Sequence, residues 1–219
     1  MTESSLSMIS FDVAIQFILV SVVLGFAPGP DNTYVLMQSA ISGTRRGIAV
    51  TMGLCTGIIV HTVAVALGVA AIFQASALAF TLLKIVGAVY LLYLAYGAFK
   101  ASNQALSDTK TATTSTEKSI HSLYLRGILM NLTNPKVGMF FLAFLPQFVR
   151  AEAGPIPLQI AQLGLLFILV TLVSFSLIAF MAGQISGWLR RSPRAFPIMN
   201  KLVGCVFVGM AVKLATAQR

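Results

Sequence analysis

The chain has 219 residues, of which 57% are hydrophobic and only 10% charged, with a mean hydropathy of +0.88. Soluble domains carry about 25% charged residues, so this balance excludes an ordinary soluble domain and a disordered chain and leaves an integral membrane protein. The formal charge of +9 would suggest nucleic acid in a soluble chain; here it reads as basic cytoplasmic loops, and no nucleic-acid partner is expected.

The first apolar stretch runs from Val13 to Ala27, is interrupted by Pro28-Gly29-Pro30, and resumes at Tyr34 to Met37. It reads as a retained span rather than a signal peptide, because the first twelve residues hold Glu3 and Asp12 but no Lys or Arg. The second stretch is Gly47 to Phe73 and the third Ala77 to Phe99. Residues 102–122, rich in Ser and Thr, read as a polar cytoplasmic linker. The fourth, Leu123 to Val149, is broken at Asn134-Pro135-Lys136; the fifth is Leu158 to Leu189 and the sixth Ile198 to Ala215. A spanning helix takes about 20 residues, so six consume roughly 120 and leave a single transmembrane domain over residues 1–219.

The third stretch contains Lys84-Ile-Val-Gly87-Ala-Val-Tyr90 and the sixth Lys201-Leu-Val-Gly204-Cys-Val-Phe207. Each half also opens with a proline-broken helix. Three is odd, so equivalent helices cross in opposite senses. The expected fold is therefore all-α: six transmembrane helices as two inverted three-helix repeats, residues 1–101 and 123–219, with helices one and four broken. Nine loop cations fall on one side: Arg45, Arg46, Lys100, Lys110, Lys118, Arg126, Arg190, Arg191 and Arg194. Only Arg150, Lys213 and Arg219 fall on the other. The richer side is cytoplasmic, which puts both termini outside, and Trp188 anchors the cytoplasmic interface.

Irregular backbone survives at membrane depth only inside protein or beside a water-filled cavity. Proline removes a helical hydrogen bond and frees a carbonyl on the preceding turn. Asn134-Pro135 reads as an N-cap followed by proline at the first helical position, and Pro30-Asp31-Asn32 can restart a helix in the same way. Each break then offers a helix N-terminus to an interior cavity, which suits a carboxylate. Asp31 and Lys136 fall at the same repeat position when Pro30 is set against Pro135, and they can pair across the pseudo-twofold axis. Such charges cost about 2.5–3.5 kcal/mol each at the bilayer centre, so each needs a partner. The candidate substrate-binding set is Pro28, Gly29, Pro30, Asp31, Asn32, Asn131, Asn134, Pro135 and Lys136. Asp31 and His61 are the candidates for proton coupling.

Cys55 and Cys205 lie in separate apolar runs without a CxxC partner, which argues against a disulfide framework and a zinc site. No phosphate-binding G-x-x-x-x-G-K-[ST] loop, H-E-x-x-H or G-x-S-x-G occurs, so neither an enzyme nor a cofactor nor a metal is expected. Gly53-xxx-Gly57 and Gly183-xxx-Gly187 allow close helix approach, within the chain or in a homodimer.

The runs FAPGPDNTYVL, GIAVTMGLCTGIIVH, KIVGAVYLLYLAYGAFK and NLTNPKVGMFFLAFLPQF resemble the LysE/RhtB family of bacterial amino-acid exporters over nearly the whole chain. PGP in the first span and NPK in the fourth are the most specific elements. The resemblance implies efflux of an amino acid or close derivative across the bacterial inner membrane, and its pattern carries onto Pro28, Gly29, Pro30, Asp31, Asn134, Pro135 and Lys136. The expectation is a secondary transporter for a small zwitterionic solute, proton-coupled and working by alternating access. The alternatives are a thiol-redox carrier using Cys55 and Cys205, and a non-transporting membrane scaffold.

Overall fold

A computed structural model describes residues 9–75, 77–102, 119–182 and 195–216. The linker cations Lys110 and Lys118, the Gly183/Gly187 pair, Trp188 and the cluster of Arg190, Arg191 and Arg194 lie outside the described residues. The first span is two helices, α1 (Phe11–Phe26) and α2 (Pro30–Ser42), meeting at 60°. Then come α3 (Thr44–Ala75) and α4 (Ala77–Ser102). Next, α5 (Ile120–Thr133) and the short α6 (Pro135–Met139) form a second bent span, at 51°. A π-helical turn (Phe140–Phe144) and a 3-10 turn (Leu145–Phe148) prolong α6, and α7 (Ile156–Phe180) and α8 (Ala195–Thr216) follow.

Residues 44–68 of α3 and the whole of α7 are each long and apolar enough to cross a membrane, and each bent pair qualifies when taken as one span. At 1.5 Å per residue, the 26 residues of α4 and the 22 of α8 reach about 39 and 33 Å. One expected boundary moves. Ser119 caps α5, its hydroxyl accepting from the Ser122 amide at 3.1 Å, so residues 120–122 are helix rather than linker. The helix of the fifth span runs Ile156–Phe180, with a turn at Met181 and helix again at Ala182; the remainder of the expected span, to Leu189, lies outside the described residues.

Helix α3 is the central pillar, packed against α2, α5 and α7, while α4 pairs with α8 and α1 lies on α7. The α3–α5 seam is very close. A methyl group added at Gly53 would collide with the Tyr124 carbonyl and the Gly127 Cα; one added at Gly127 would collide with the Val50 carbonyl. Both obstacles are backbone, which cannot rotate away. Gly57 faces the Asn131 side chain across the same seam, so the Gly53-xxx-Gly57 pair serves a contact within the chain. Gly127→Val is expected to abolish the folded protein, read as loss of the monodisperse peak in detergent. Gly97→Ala, in open space on α4, should leave that peak intact.

Two apolar clusters complete the interior. One is aromatic: Phe17 packs edge-on against Phe148 at 5.2 Å, and Phe140 stacks on Phe167 at 5.0 Å, with Phe141 and Phe144 filling between. The other is mainly aliphatic and includes Val35, Val50, Leu54, Leu123 and Ile178. The two helix breaks lie where the clusters meet.

Candidate functional site

Both breaks follow from proline's missing N–H. In an unbroken helix the Leu24 carbonyl would accept from residue 28 and the Gly25 carbonyl from residue 29. Pro28 has no N–H to give, and Gly29 is fully extended with φ −173° and ψ 176°. Side chains take over both acceptors. The Lys136 ammonium, on α6, donates to the Leu24 carbonyl at 3.3 Å and the Ala27 carbonyl at 3.1 Å. The Asn32 amide donates to the Gly25 carbonyl. In the second break Pro135 leaves the Asn131 carbonyl without its helical donor. The Asn134 amide N–H fills it at 3.1 Å, and His61 Nε2 approaches to 3.4 Å. A carbonyl only accepts, so this contact is a hydrogen bond in the tautomer of His61 that carries its proton on Nε2.

The helices restart as their sequences dictate. Pro30 and Pro135 each open a helix, and Asn134 caps α6 by accepting from the Lys136 amide at 3.0 Å. At the matching position α2 has Gly29 and no side-chain cap. The gap has a use: a Cβ at Gly29 would stand 3.2 Å from Lys136 Nζ. Asp31, 3% exposed, accepts from the Asn134 side-chain amide at 2.8 Å through Oδ2, a bond joining the two breaks. Asp31 and Lys136 attract each other but do not bond directly, because Asn134 and the end of α1 stand as their partners. The expected cross-axis pair is therefore an indirect one.

Asp31 and Lys136 border a cavity of about 20 Å³, which is room for about one water molecule. Leu24, Gly25 and Asn131 share its wall, with Leu54 and Ile58 from α3, Val137 from α6, and Phe167, Thr171 and Phe175 from α7. Three buried acceptor oxygens in this region make no hydrogen bond: Asp31 Oδ1, Asn32 Oδ1 and Asn131 Oδ1. Buried oxygens without donors are costly, about 1–3 kcal/mol each, unless a ligand or a water molecule supplies the donors. The structure thus brings together Asp31, Asn32, Asn131, Asn134 and Lys136 around the Pro28-Gly29-Pro30 and Pro135 turns. His61 stands one residue removed, half-buried and stacked on Phe141 at 5.6 Å, and reaches the cavity only through Asn131.

Residues 22–218 match the LysE type translocator family. The chain belongs to that family. It is accordingly a membrane translocator, all-helical among the described residues, and not an enzyme. The LysE-type chain is 32% identical to a homoserine/homoserine lactone efflux protein of Salmonella typhimurium, covering 95% of this chain and 98% of the relative. It is 35% identical to a membrane protein of Vibrio cholerae (94% and 98%) and 33% identical to one of Pseudomonas aeruginosa (92% and 94%). No solved structure matches it.

The translocator's cavity region also holds two hydroxyl residues that sequence reasoning missed. Thr171 and Ser174 are buried on α7, Thr171 in the cavity wall and Ser174 against Gly25. Their spacing of three, with Phe167 and Phe175 on the same face, is a signal a helical projection would have caught. Cys55 is buried on α3 and Cys205 exposed on α8, both as free thiols.

Proposed function

We propose that this translocator exports a small neutral amino acid, or a close derivative of one, from the cytoplasm across the bacterial inner membrane. The carrying observation is one small chamber holding a buried carboxylate, a buried ammonium and acceptor oxygens without donors. A zwitterion complements it. Its ammonium meets Asp31 Oδ1 and Asn131 Oδ1; its carboxylate meets Lys136 and the uncapped N-terminus of α2. Asp31 is the only acidic residue in the cavity wall. A dibasic solute would therefore bring a second cation with no match, whereas the apolar wall and the Thr171 hydroxyl suit a short apolar or hydroxylated side chain. The efflux relative named for homoserine supports the same class.

The reading extends to mechanism. The six spans form two inverted repeats that alternate access around the chamber, supported by the matched breaks and by the pairing of the third helices, α4 with α8. Asp31 exchanges a solute ammonium for a proton, with His61 on the relay. Both termini face the periplasm.

The test of export uses cells fed dipeptides, comparing a strain that makes the protein with one that does not. The expected result is faster appearance of a neutral amino acid in the medium, lost when the proton gradient is collapsed. Equal efflux for every amino acid tried would refute the proposal. Sidedness is tested in a background lacking Cys55 and Cys205. Cysteines at Ser107 and Ser192 should be shielded from an impermeant thiol reagent in intact cells, and one at the exposed Ala153 labelled. The neighbouring Gly154, at φ 121°, is a poor site for such a label.

A further inference from the structure

The chamber has no space for a solute while its walls are closed, so a solute must be taken up first somewhere along the way in. One helical turn after Asp31, at about 4.5 Å along α2, Tyr34 meets Arg126 of α5. The guanidinium carbon lies 4.8 Å from the centre of the Tyr34 ring, a cation–π contact that bridges the two halves of the chain. Arg126 is exposed, and its N–H groups hydrogen-bond to none of the described residues. The Tyr34 hydroxyl is buried and has no partner either. An arginine within a spanning helix normally has an anion or a carbonyl to bond. Here a guanidinium edge and a buried hydroxyl, each with hydrogen to donate, stand together with no carboxylate or carbonyl bonded to either among the described residues. They stand on the side of the chamber that the basic-residue count makes cytoplasmic.

We propose that Arg126 and Tyr34 form a staging site on the cytoplasmic side, which binds the carboxylate of a solute before it enters the chamber. This rests on the reading of the protein as an exporter of zwitterions. The guanidinium presents two parallel N–H bonds to the carboxylate, and the Tyr34 hydroxyl a third. The solute ammonium then points along α2 towards Asp31. Engaging the carboxylate turns the guanidinium off the Tyr34 ring, so the solute replaces the cation–π contact as the link between α2 and α5.

The test compares two solutes that share a skeleton: L-homoserine, which has a carboxylate, and L-homoserine lactone, which has none. Purified protein is placed in liposomes of phosphatidylethanolamine and phosphatidylglycerol, and initial rates are measured from the cytoplasmic face. Arg126→Gln should raise KM for homoserine about tenfold with Vmax little changed, as expected for loss of one charge-assisted contact, and leave the lactone KM unchanged. Tyr34→Phe should raise the homoserine KM about threefold, and Arg126→Lys should fall between wild type and Arg126→Gln. Should Arg126→Gln not be recovered folded, Tyr34→Phe carries the comparison alone. An equal rise for both solutes would make the pair a structural bridge and overturn the proposal, as would no rise at all. A defect that vanishes when phosphatidylglycerol is omitted would assign the guanidinium to a lipid phosphate instead. Wild-type protein that carries neither solute would overturn the exporter reading and the staging site with it.

Discussion

Lys136→Ala is expected to reduce export by at least about a hundredfold while the protein still inserts. The loss has two sources. The substitution removes the one cation of the chamber wall, and it leaves the Leu24 and Ala27 carbonyls without a donor at the end of α1. Each unsatisfied buried carbonyl costs about 1–3 kcal/mol, so membrane abundance should also fall. Export per unit of protein separates the two effects, since a purely structural lysine would lower abundance and leave the specific rate alone. Lys136→Arg should be partly defective, because the space left by the missing Cβ of Gly29 fits a compact ammonium better than a planar fork. Full specific export by the alanine variant would remove Lys136 from the site.

The second large effect concerns Asp31 and Asn134, which bond across the two breaks at 2.8 Å. Asp31→Asn should lower export at least about a hundredfold, because the chamber loses its only carboxylate. Asn134→Asp alone should be harmful in another way, placing two carboxylates within bonding distance. Combined, Asp31→Asn and Asn134→Asp restore an amide–carboxylate bond with its direction reversed. Aspartate caps a helix about as well as asparagine does, so the start of α6 survives the exchange. The exchange should therefore recover thermal stability, with a coupling of about 1.5–3 kcal/mol between the two changes, but not export. The charge would then sit on the wrong half of the chain for the solute. Additive effects on melting temperature would show that this bond does not hold the breaks together. Restored export would show that the position of the carboxylate does not matter.

Both breaks are legible in the sequence because they depend on residues with one dominant local effect: proline without an N–H, asparagine as a cap, glycine without a Cβ. The side chains of Asp31 and Lys136 stand out for the same reason, as charges in an apolar chain. Their partners are less legible. Lys136 bonds to the carbonyls of Leu24 and Ala27, and every residue has a carbonyl, so only the tertiary placement of Lys136 at the end of α1 reveals which ones are reached. Asn134 stands between Asp31 and Lys136, a detail set by tertiary packing and invisible to an alignment of Pro30 with Pro135. Thr171 is overlooked for another reason: in a helix as apolar as α7 a hydroxyl usually bonds its own backbone, as Thr51 and Thr62 do on α3, and only its shared face with Ser174 marks it out. The π-helical turn at Phe140–Phe144 has no sequence signature of its own.

The seam between α3 and α5, where Gly53 and Gly127 bring main chain against main chain, has a mechanical consequence. These two helices come from opposite halves of the chain, yet neither can slide or roll on the other without driving backbone atoms together. They act as a fixed wall. Under the proposed alternating access, α3 and α5 are expected to move as one piece although they belong to different repeats. In that reading the moving piece is the first span, bent at the extended peptide at Gly29, once the Lys136 and Asn32 bonds to the end of α1 open. Gate motion should accordingly appear as a change in distance from α2 to α5, with the distance from α3 to α5 constant in every state.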